Sequence, residues 1–320
     1  MGKLYELILN KMNINVEFIC DKIDYNVKQK LYSDYAEALD NETIDGLIVA
    51  THATSHYEII NYAIDKKIKF IVCEKPFTTS ARSAKLLFEK VKNSETRLVV
   101  NYTRRFSKAY EKLYHILYHD KILGQPKSMS IFCGAGGLSA VGTHFFDLFC
   151  YILDAKPISV YAVTVDKNLP NPRGMEFQDP GGYVLLNFEN EKRAFLDMGD
   201  DLGLQPMIEI VCEYGRLFID EINKTIHIRG RIIDEQKIPK HLYGTKNIVL
   251  NDDSFNFEPL EQLIQNMITN LISSELIIVT PEMASEKVEI YSAIRKSFDT
   301  GNLVTLPLND EYDKKEFAVT

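Results

Sequence analysis

The chain has 320 residues, of which 45% are hydrophobic and 26% charged, the composition of an ordinary globular protein of about two domains. Its formal net charge of −8 argues against the basic surface that a nucleic-acid partner needs. No apolar run approaches the roughly 18 residues of a membrane span, so no membrane partner is expected. The start resembles no signal peptide, and the five cysteines form no CxxC pair, which together predict a cytoplasmic protein with reduced thiols.

The first part of the chain, residues 1–120, alternates between helix and strand signals. Apolar spacing predicts helices over residues 4–12, 35–39, 55–65 and, after a cap at Thr79 or Ser80, up to residue 92. Short apolar runs predict strands over residues 16–20, 46–50, 69–73 and 97–100. This order predicts an α/β domain, with a parallel sheet wound by helices on both faces.

The second part, residues 121–320, has a different pattern. Alternating apolar and polar residues predict strands over residues 128–133, 158–165, 183–188, 193–197, 208–212, 216–220 and 225–229. Helices are predicted over residues 143–153, 258–273 and 281–297, with a short apolar piece at 304–307. We therefore expect an α+β domain with a mostly antiparallel sheet that is open to solvent on one face.

The segment Glu74-Lys75-Pro76 directly follows the predicted strand 69–73. In open α/β sheets, ligands bind outside the carboxyl ends of the strands. A lysine held there beside a carboxylate is well placed to be desolvated and to move a proton. The alternative interpretation is an ordinary strand-to-helix corner, in which proline and a surface lysine are both common.

Two other strand ends carry candidates for a nucleotide site. Asp21 follows the strand 16–20, where its carboxylate can accept both hydroxyls of the adenosine ribose of NAD and would repel the 2′-phosphate of NADP. A solvated loop aspartate is the alternative. The small residues that follow the strand 46–50 let a ligand approach the backbone, and Thr51 or His56 could contact a cofactor there.

Two histidine pairs have i, i+4 spacing, which puts two imidazoles on one face of a helix: His52 with His56, and His115 with His119. Neither pair has the glutamate of an HExxH motif or an evident third ligand, so no metal is expected and a metal hydrolase has little support. The glycine-rich segment 134–137 follows a strand of the second domain. A flexible loop is therefore favoured there over a phosphate cradle.

The segment 142–147 carries a second candidate for chemistry. His144 begins an apolar helical stretch, and Asp147 lies one turn later on the same face. That face could present an imidazole to a cleft with a carboxylate nearby. The alternative is a buried, satisfied histidine with an aspartate near a helix start, where negative charge is favoured.

Three segments together resemble the Gfo/Idh/MocA family of nicotinamide-dependent sugar and polyol oxidoreductases. Residues 73–76 (CEKP), 101–106 (NYTRRF) and 142–147 (GTHFFD) are similar to the family's EKP, GYNRRF and GxHxxD motifs, in the same order and with similar spacing. The resemblance covers nearly the whole chain. It implies a Rossmann-type parallel-sheet domain, then a mostly antiparallel sheet whose open face forms a homodimer or homotetramer. The implied cofactor is NAD, with NADP as the alternative.

The resemblance also implies a reaction, in which a hydride passes between nicotinamide and a hydroxyl-bearing carbon of a sugar or of a derivative such as a nucleotide or amino sugar. His144 would take the hydroxyl proton, and Lys75 would share or relay it, so both are candidate catalytic residues. The implied substrate contacts are Lys75, Tyr102, Arg105, His144 and Asp147. The implied cofactor contacts are Gly2, Asp21, Ala50, Thr51, His52, His56, Glu74, Lys75, Asn101 and Arg104.

Two departures from the family pattern leave two hypotheses open. Many members carry an aspartate four residues before the histidine, where this chain has Ala140. Gly2 aligns with the last glycine of GxGxxG, and the first strand and first two glycines of the Rossmann pattern have no counterpart. The first hypothesis is an NAD(P)-dependent sugar oxidoreductase whose first domain is truncated, which retention of Lys75 and His144 favours. The second is a catalytically silent relative used in ligand binding or assembly.

Overall fold

The computed structural model describes residues 1–24, 27–134, 136–165, 169–171, 174–242, 244–251, 255–274 and 276–319. The chain divides into two compact units. The first comprises Met1–Phe106, Pro259–Val288 and Lys314–Thr320; the second comprises Ser107–Glu258 and Glu289–Asp313. The second unit begins at Ser107, whereas the predicted boundary lies near residue 120. In addition, residues 259–288 and 314–320 pack with the first unit, although they were predicted to belong to the second domain.

Most helices and strands agree with the predicted ones, whereas α5, α9, β2 and β13, defined below, were not predicted. The helices are α1 (Gly2–Lys11), α2 (Tyr35–Asn41), α3 (His56–Asp65), α4 (Ala81–Lys92), α5 (Lys108–His115), α6 (Gly142–Leu153), α7 (Leu260–Ser273), α8 (Pro281–Thr300) and α9 (Glu311–Lys314). The strands are β1 (Phe18–Cys20), β2 (Lys30–Tyr32), β3 (Gly46–Val49), β4 (Phe70–Cys73), β5 (Arg97–Val100), β6 (Pro126–Phe132), β7 (Pro157–Thr164), β8 (Gly182–Phe188), β9 (Arg193–Met198), β10 (Met207–Cys212), β11 (Gly215–Asp220), β12 (Thr225–Arg231), β13 (Asn247–Asn251) and β14 (Val304–Thr305).

The parallel strands of the first unit form two separate sheets. Strand β1 pairs in parallel with β2, whereas β3, β4 and β5 form a three-stranded parallel sheet. In the Rossmann strand order, the first strand of the fold lies between the strands that correspond to β1 and β3. Among the described residues no strand pairs between β1 and β3, and the parallel ladder is divided at this point.

The core of the first unit surrounds this parallel sheet. Strands β4 and β5 are apolar and almost completely buried, as expected for parallel strands covered on both faces. Helix α4 begins where predicted, because the Ser80 side chain accepts a hydrogen bond from the amide of Ser83. The helices contribute apolar side chains to one cluster with the sheet, including Ile8 of α1, Ile60 of α3, Leu87 of α4 and Ile268 of α7.

The second unit is built on one nine-stranded sheet, with the order β13-β12-β11-β10-β6-β9-β8-β7-β14. Its neighbouring strands are antiparallel except for β6 and β9, which confirms the predicted, mostly antiparallel sheet. Helix α6 packs against β6 and β9. Exposed and buried residues alternate along β8, the expected pattern for a sheet with one covered and one open face. Among the described helices, none is long and apolar enough to cross a membrane.

Candidate active site

The three-stranded parallel sheet brings three predicted loops to one edge. Val49, Cys73 and Val100, the last residues of β3, β4 and β5, pair side by side. Because the strands are parallel, the residues that follow them begin at the same edge, where ligands bind in sheets of this kind. The predicted residues brought together in this way are Ala50 with Thr51, Glu74 with Lys75, and Asn101 with Tyr102.

Lys75 is the most accessible residue of the Glu74-Lys75-Pro76 segment. Its side chain is half-buried, whereas Glu74 and Pro76 are buried. The peptide bond between Lys75 and Pro76 is cis. The segment therefore presents a partly desolvated amine at the carboxyl edge of the sheet, with its two neighbours anchored in the protein interior.

Glu74 belongs to a buried hydrogen-bond network with two residues from other elements. The Tyr5 hydroxyl donates to Glu74 Oε1 at 2.7 Å, and Asn101 Nδ2 donates both to Glu74 Oε1 at 2.8 Å and to the Tyr5 oxygen at 2.9 Å. Burial, followed by the charge of Glu74, raises the pKa of Tyr5 well above its ordinary value, so the phenol remains a donor. The network ties α1 to the ends of β4 and β5. Sequence reasoning missed Tyr5, because nothing local marks an aromatic residue of α1 as a partner of Glu74.

Substituting Tyr5 by phenylalanine should destabilise the protein by about 1–3 kcal/mol, because Glu74 then loses a donor in a buried site. The free energy of unfolding measured in urea tests this expectation. Tyr62→Phe is the matched control, since its hydroxyl donates to Asp40 at 2.7 Å on the surface, where water can replace the lost bond. An equal decrease in the free energy of unfolding for the two variants would contradict the stabilising role of the buried network.

His56 links two of the loops at this edge. It begins α3 and is completely buried, with Nδ1 3.0 Å from the carbonyl oxygen of Pro76 and Nε2 3.2 Å from that of Thr51. Burial lowers the pKa of His56, even though the two carbonyls and the charge of Glu74 raise it. A contact between His56 and a cofactor stays a prediction. In this structure the ring nitrogens face backbone oxygens.

One of the two histidine pairs differs from the predicted geometry, and the other has its two rings on one face. His52 is exposed and precedes α3, so it does not share a helix face with the buried His56, and that expectation was wrong. His115 ends α5, and His119 lies in the π-helical turn Ile116–Asp120, with the two rings stacked 4.8 Å apart. Within the described part of the chain, no group of three or more histidine, cysteine, aspartate and glutamate side chains could hold a metal ion.

Asp21 and Gly2 lie at the ends of other elements of the first unit. Asp21 follows β1 and is partly exposed; its amide donates to the carbonyl of Tyr32, and its Oδ1 accepts from the amide of Ile23 at 3.0 Å. Gly2 begins α1, and a Cβ added there would meet no atom within 4 Å. The first turn of α1 therefore combines open space with the amide groups that attract an anion.

The arginines of the segment 101–106 lie in the short 3-10 turn Thr103–Phe106, which follows the end of β5 after two intervening residues. Arg104 and Arg105 are half-buried, whereas Tyr102 is almost fully buried. The turn places two cations in the same loop region as Asn101. Like Lys75, these residues belong to the first unit.

His144 and Asp147 belong to the second unit. His144 lies in the first turn of α6 and is half-buried, and Asp147, one turn later, is buried. The turn before α6 is held by Asp179, whose carboxylate accepts hydrogen bonds from the amides of Ser139 and Ala140, both at 2.7 Å. Sequence reasoning missed Asp179, because about 40 residues separate it from this turn and no motif surrounds it.

Comparison with known proteins supports the resemblance that the motifs indicate. Residues 6–102 match the family model described as oxidoreductase family, NAD-binding Rossmann fold. The match is to the Gfo/Idh/MocA family model and covers residues of the first unit only. It is 24% identical over 296 residues to a myo-inositol 2-dehydrogenase of Thermotoga maritima, an alignment that covers 87% of this chain and 84% of that protein.

Solved structures show the same fold. A levoglucosan dehydrogenase in complex with NADH and levoglucosan has a TM-score of 0.76 at 16% identity, covering 96% of this chain and 97% of that chain. An oxidoreductase from Agrobacterium radiobacter in complex with NAD⁺, L-tartaric acid and magnesium has a TM-score of 0.75 at 17% identity, with 95% of both chains covered. These likenesses confirm the predicted Rossmann-type domain followed by a mostly antiparallel sheet.

NAD is the cofactor of this family's Rossmann domain, and the residues present fit it. Asp21 offers a carboxylate at a strand end, as a ribose diol requires, and the open first turn of α1 suits a phosphate. Asn101 is only 3% exposed, and its Oδ1 accepts no hydrogen bond from the residues that the structure describes. A buried acceptor left open suits a ligand that donates, such as the carboxamide of nicotinamide.

Proposed function

We propose that the protein is an NAD-dependent oxidoreductase that acts on a hydroxyl-bearing carbon of a sugar or sugar derivative. The single observation that carries this proposal is Lys75, a half-buried amine at the carboxyl edge of a Rossmann-type sheet, flanked by the buried Glu74 network. When bound, NAD would accept a hydride from the sugar carbon or return it. This chain's residues then have to hold the hydroxyl and move its proton.

We propose that His144 transfers the proton of the substrate hydroxyl and that Lys75 stabilises the hydroxyl oxygen. A histidine side chain ordinarily titrates near neutral pH, which suits a group that takes up and returns a proton in each turnover. An ammonium group stabilises the negative charge that develops on the oxygen as its proton leaves. The turn that carries His144 is anchored by Asp179, which supports a fixed imidazole.

The charge of the first unit's site supports a substrate with an anionic group. Lys75, Arg104 and Arg105 are all half-buried in loops that begin at one edge of the sheet. Guanidinium groups bind phosphate oxygens in a paired geometry, so these residues favour a nucleotide sugar. An amino sugar carries a positive charge and suits this set of cations less well. The relatives named for inositol and levoglucosan act on polyhydroxylated rings, the class that we propose here.

A second candidate function is that of a catalytically silent relative used in ligand binding or assembly. Ala140 favours it, because a carboxylate side chain is missing four residues before His144. Turnover separates the two candidates, because a silent relative binds a ligand without converting it.

Titration with NADH and NADPH, followed by assay on myo-inositol, levoglucosan and nucleotide sugars, tests the proposal. We expect NADH to bind more tightly than NADPH. Asp21→Ser should narrow that preference by about tenfold or more, because the carboxylate that repels a 2′-phosphate is gone. Failure of both nucleotides to bind would overturn the enzyme assignment. Binding without turnover on any of these substrates would favour the silent relative.

We also propose that the open face of the nine-stranded sheet binds a second copy of the chain, in a homodimer or homotetramer. The face carries large apolar side chains on neighbouring strands, all more than a third exposed: Phe132, Leu185, Met207 and Phe218. Phe132 pairs with Met207, and its ring packs edge-on against Phe195 at 5.6 Å. A contiguous apolar patch of this kind is typical of protein interfaces.

The substitution Phe132→Asp should therefore convert the oligomer into monomers, because it places a charge within the apolar interface. Light scattering coupled to size-exclusion chromatography measures the mass directly. Leu276→Asp is the control, since Leu276 is equally apolar and 83% exposed but lies in the first unit. A wild-type protein that elutes as a monomer would contradict the proposal.

A cytoplasmic location is proposed from the state of the thiols. In this structure the cysteines carry thiols: Cys20, Cys73, Cys133, Cys150 and Cys212. Burial raises the pKa of Cys73, and that of Cys212 to about 12, so these two thiols are protected from oxidation. Buried thiols of this kind are typical of a reducing compartment.

A further inference from the structure

The turn that leads into α6 is anchored by a carboxylate from a distant part of the chain. Both oxygens of Asp179 are used: Oδ1 accepts from the amide of Ser139 and Oδ2 from that of Ala140, each at 2.7 Å. Bonds from amides to an ionised carboxylate are about twice as strong as neutral ones. The Thr143 hydroxyl then donates to the carbonyl of Ser139 at 2.8 Å, which joins this turn to the first turn of α6.

Gly137 makes this anchoring possible. Its φ of +76° lies in the left-handed region, and a Cβ added there would lie 2.1 Å from Asp179 Oδ2. Only a residue without a side chain allows the carboxylate to approach. The amides of Val141 and Gly142 both donate to the carbonyl of Gly137, at 3.0 and 3.1 Å. The end of the glycine-rich segment, predicted as a flexible loop, is thus part of a defined turn.

The residue before Asp179 is held by α8. Arg295 Nη1 donates to the carbonyl of Gln178 at 3.4 Å and to the Tyr291 hydroxyl at 3.0 Å. Burial, followed by the negative charge of Asp179, raises the pKa of Tyr291, so the tyrosine stays neutral beside the carboxylate. The segment 178–179 therefore contacts, through Gln178, the part of α8 that lies in the second unit and, through Asp179, the turn before α6.

We propose that Asp179 is a positioning residue for His144, through the turn 137–141. This role rests on the proposed function, in which His144 moves the substrate proton. The carboxylate also lies at the N-terminal end of a twelve-residue helix, where negative charge is favourable. It binds the amide of the same residue, Ala140, at which many family members carry a carboxylate side chain. This chain has no carboxylate side chain at position 140. The turn still has a carboxylate beside it, which Asp179 supplies from elsewhere in the chain.

Asp179→Ala tests the proposal in the full-length protein. Misplacing a reacting group by about 1 Å can lower a rate about a hundredfold, so we expect kcat to fall by about ten- to a hundredfold. The KM for NAD should stay unchanged, because the proposed NAD contacts lie in the first unit. Asp179→Asn keeps one acceptor oxygen, so its kcat should lie between that of Asp179→Ala and that of the wild type. Gly137→Ala should reproduce the loss of kcat, since its methyl group displaces the carboxylate.

A second measurement does not depend on activity. Diethyl pyrocarbonate modifies accessible imidazoles, and mass spectrometry measures its rate at His144. We expect Asp179→Ala to raise that rate several-fold. Asp220→Ala is the matched control, because Asp220 Oδ1 also accepts two turn amides, from Ile222 and Asn223 at 3.0 Å. This variant should change neither kcat nor the His144 rate.

The outcomes separate the positioning role from the proposed function. An Asp179→Ala variant whose kcat and His144 modification rate both match wild type would overturn the positioning role. A loss of kcat equal to that of Asp220→Ala would overturn it as well, since the effect would then be general destabilisation. A wild-type protein without turnover would reject the proposed function, and the modification rate at His144 would still decide whether Asp179 holds the turn.

Discussion

Replacement of Lys75 by methionine is expected to lower kcat by about 10²- to 10⁴-fold, the range typical of a lost proton-transfer or charge-stabilising group. Methionine preserves most of the length and apolar contact of the lysine stem, so the loop should keep its position. Lys75 lies between the buried Glu74 and Pro76, whose anchoring does not depend on the amine. The affinity for NADH should therefore change by only a few-fold, while kcat falls by the much larger factor given above.

Steady-state kinetics and NADH titration measure these two effects separately. Lys69→Met is the matched control, because Lys69 is an exposed lysine just before the other end of the same strand, β4. It should leave both kcat and NADH affinity unchanged. Equal kcat values for Lys75→Met and wild type would remove Lys75 from the reaction, and with it the main support for the proposed function.

Replacement of His144 by asparagine should also lower kcat by about 10²- to 10⁴-fold, because asparagine can donate a hydrogen bond but cannot exchange a proton near neutral pH. The fold should be unaffected, since His144 is half-buried and packs less tightly than its neighbours in α6. Its contribution is to the chemical step, so the KM for NAD should change little.

Imidazole added to the solution provides a further test of His144. A small base that enters the vacated space should restore part of the turnover of His144→Asn and should not restore that of Lys75→Met. The control variant is His115→Asn, whose ring is exposed in another helix of the second unit. An active His144→Asn enzyme would show that another group moves the proton.

The sequence predicted the elements that have strong local signals. Strands β3, β4 and β5 are short apolar runs between helices, and the polar residues after them marked the edge where Lys75 lies. Strand β2 was missed because Lys30, Leu31 and Tyr32 form no apolar run; its pairing with β1 depends on tertiary context. Helix α7 was predicted as a helix, but no local signal states which unit it packs with.

Candidate site residues were found in the sequence where motifs are contiguous and missed where they depend on long-range contacts. Lys75 and His144 stand in recognisable segments, whereas Tyr5 reaches Glu74 across 69 residues and Asp179 reaches Ala140 across 39. The loss of a carboxylate at position 140 is visible in the sequence. The carboxylate that binds the amide of that residue is visible only once the chain has folded.

The division of the parallel strands into two sheets has a consequence for the cofactor. Asp21 follows a strand of the β1–β2 sheet, whereas Lys75 follows a strand of the β3–β4–β5 sheet, and in the described residues no backbone ladder joins the two. A dinucleotide that contacts Asp21 at one end and the Lys75 loop at the other would connect the two sheets through non-covalent contacts. Ligand that binds only the folded chain raises its stability with concentration. In this protein NAD would then stabilise the folded chain as well as take part in the reaction.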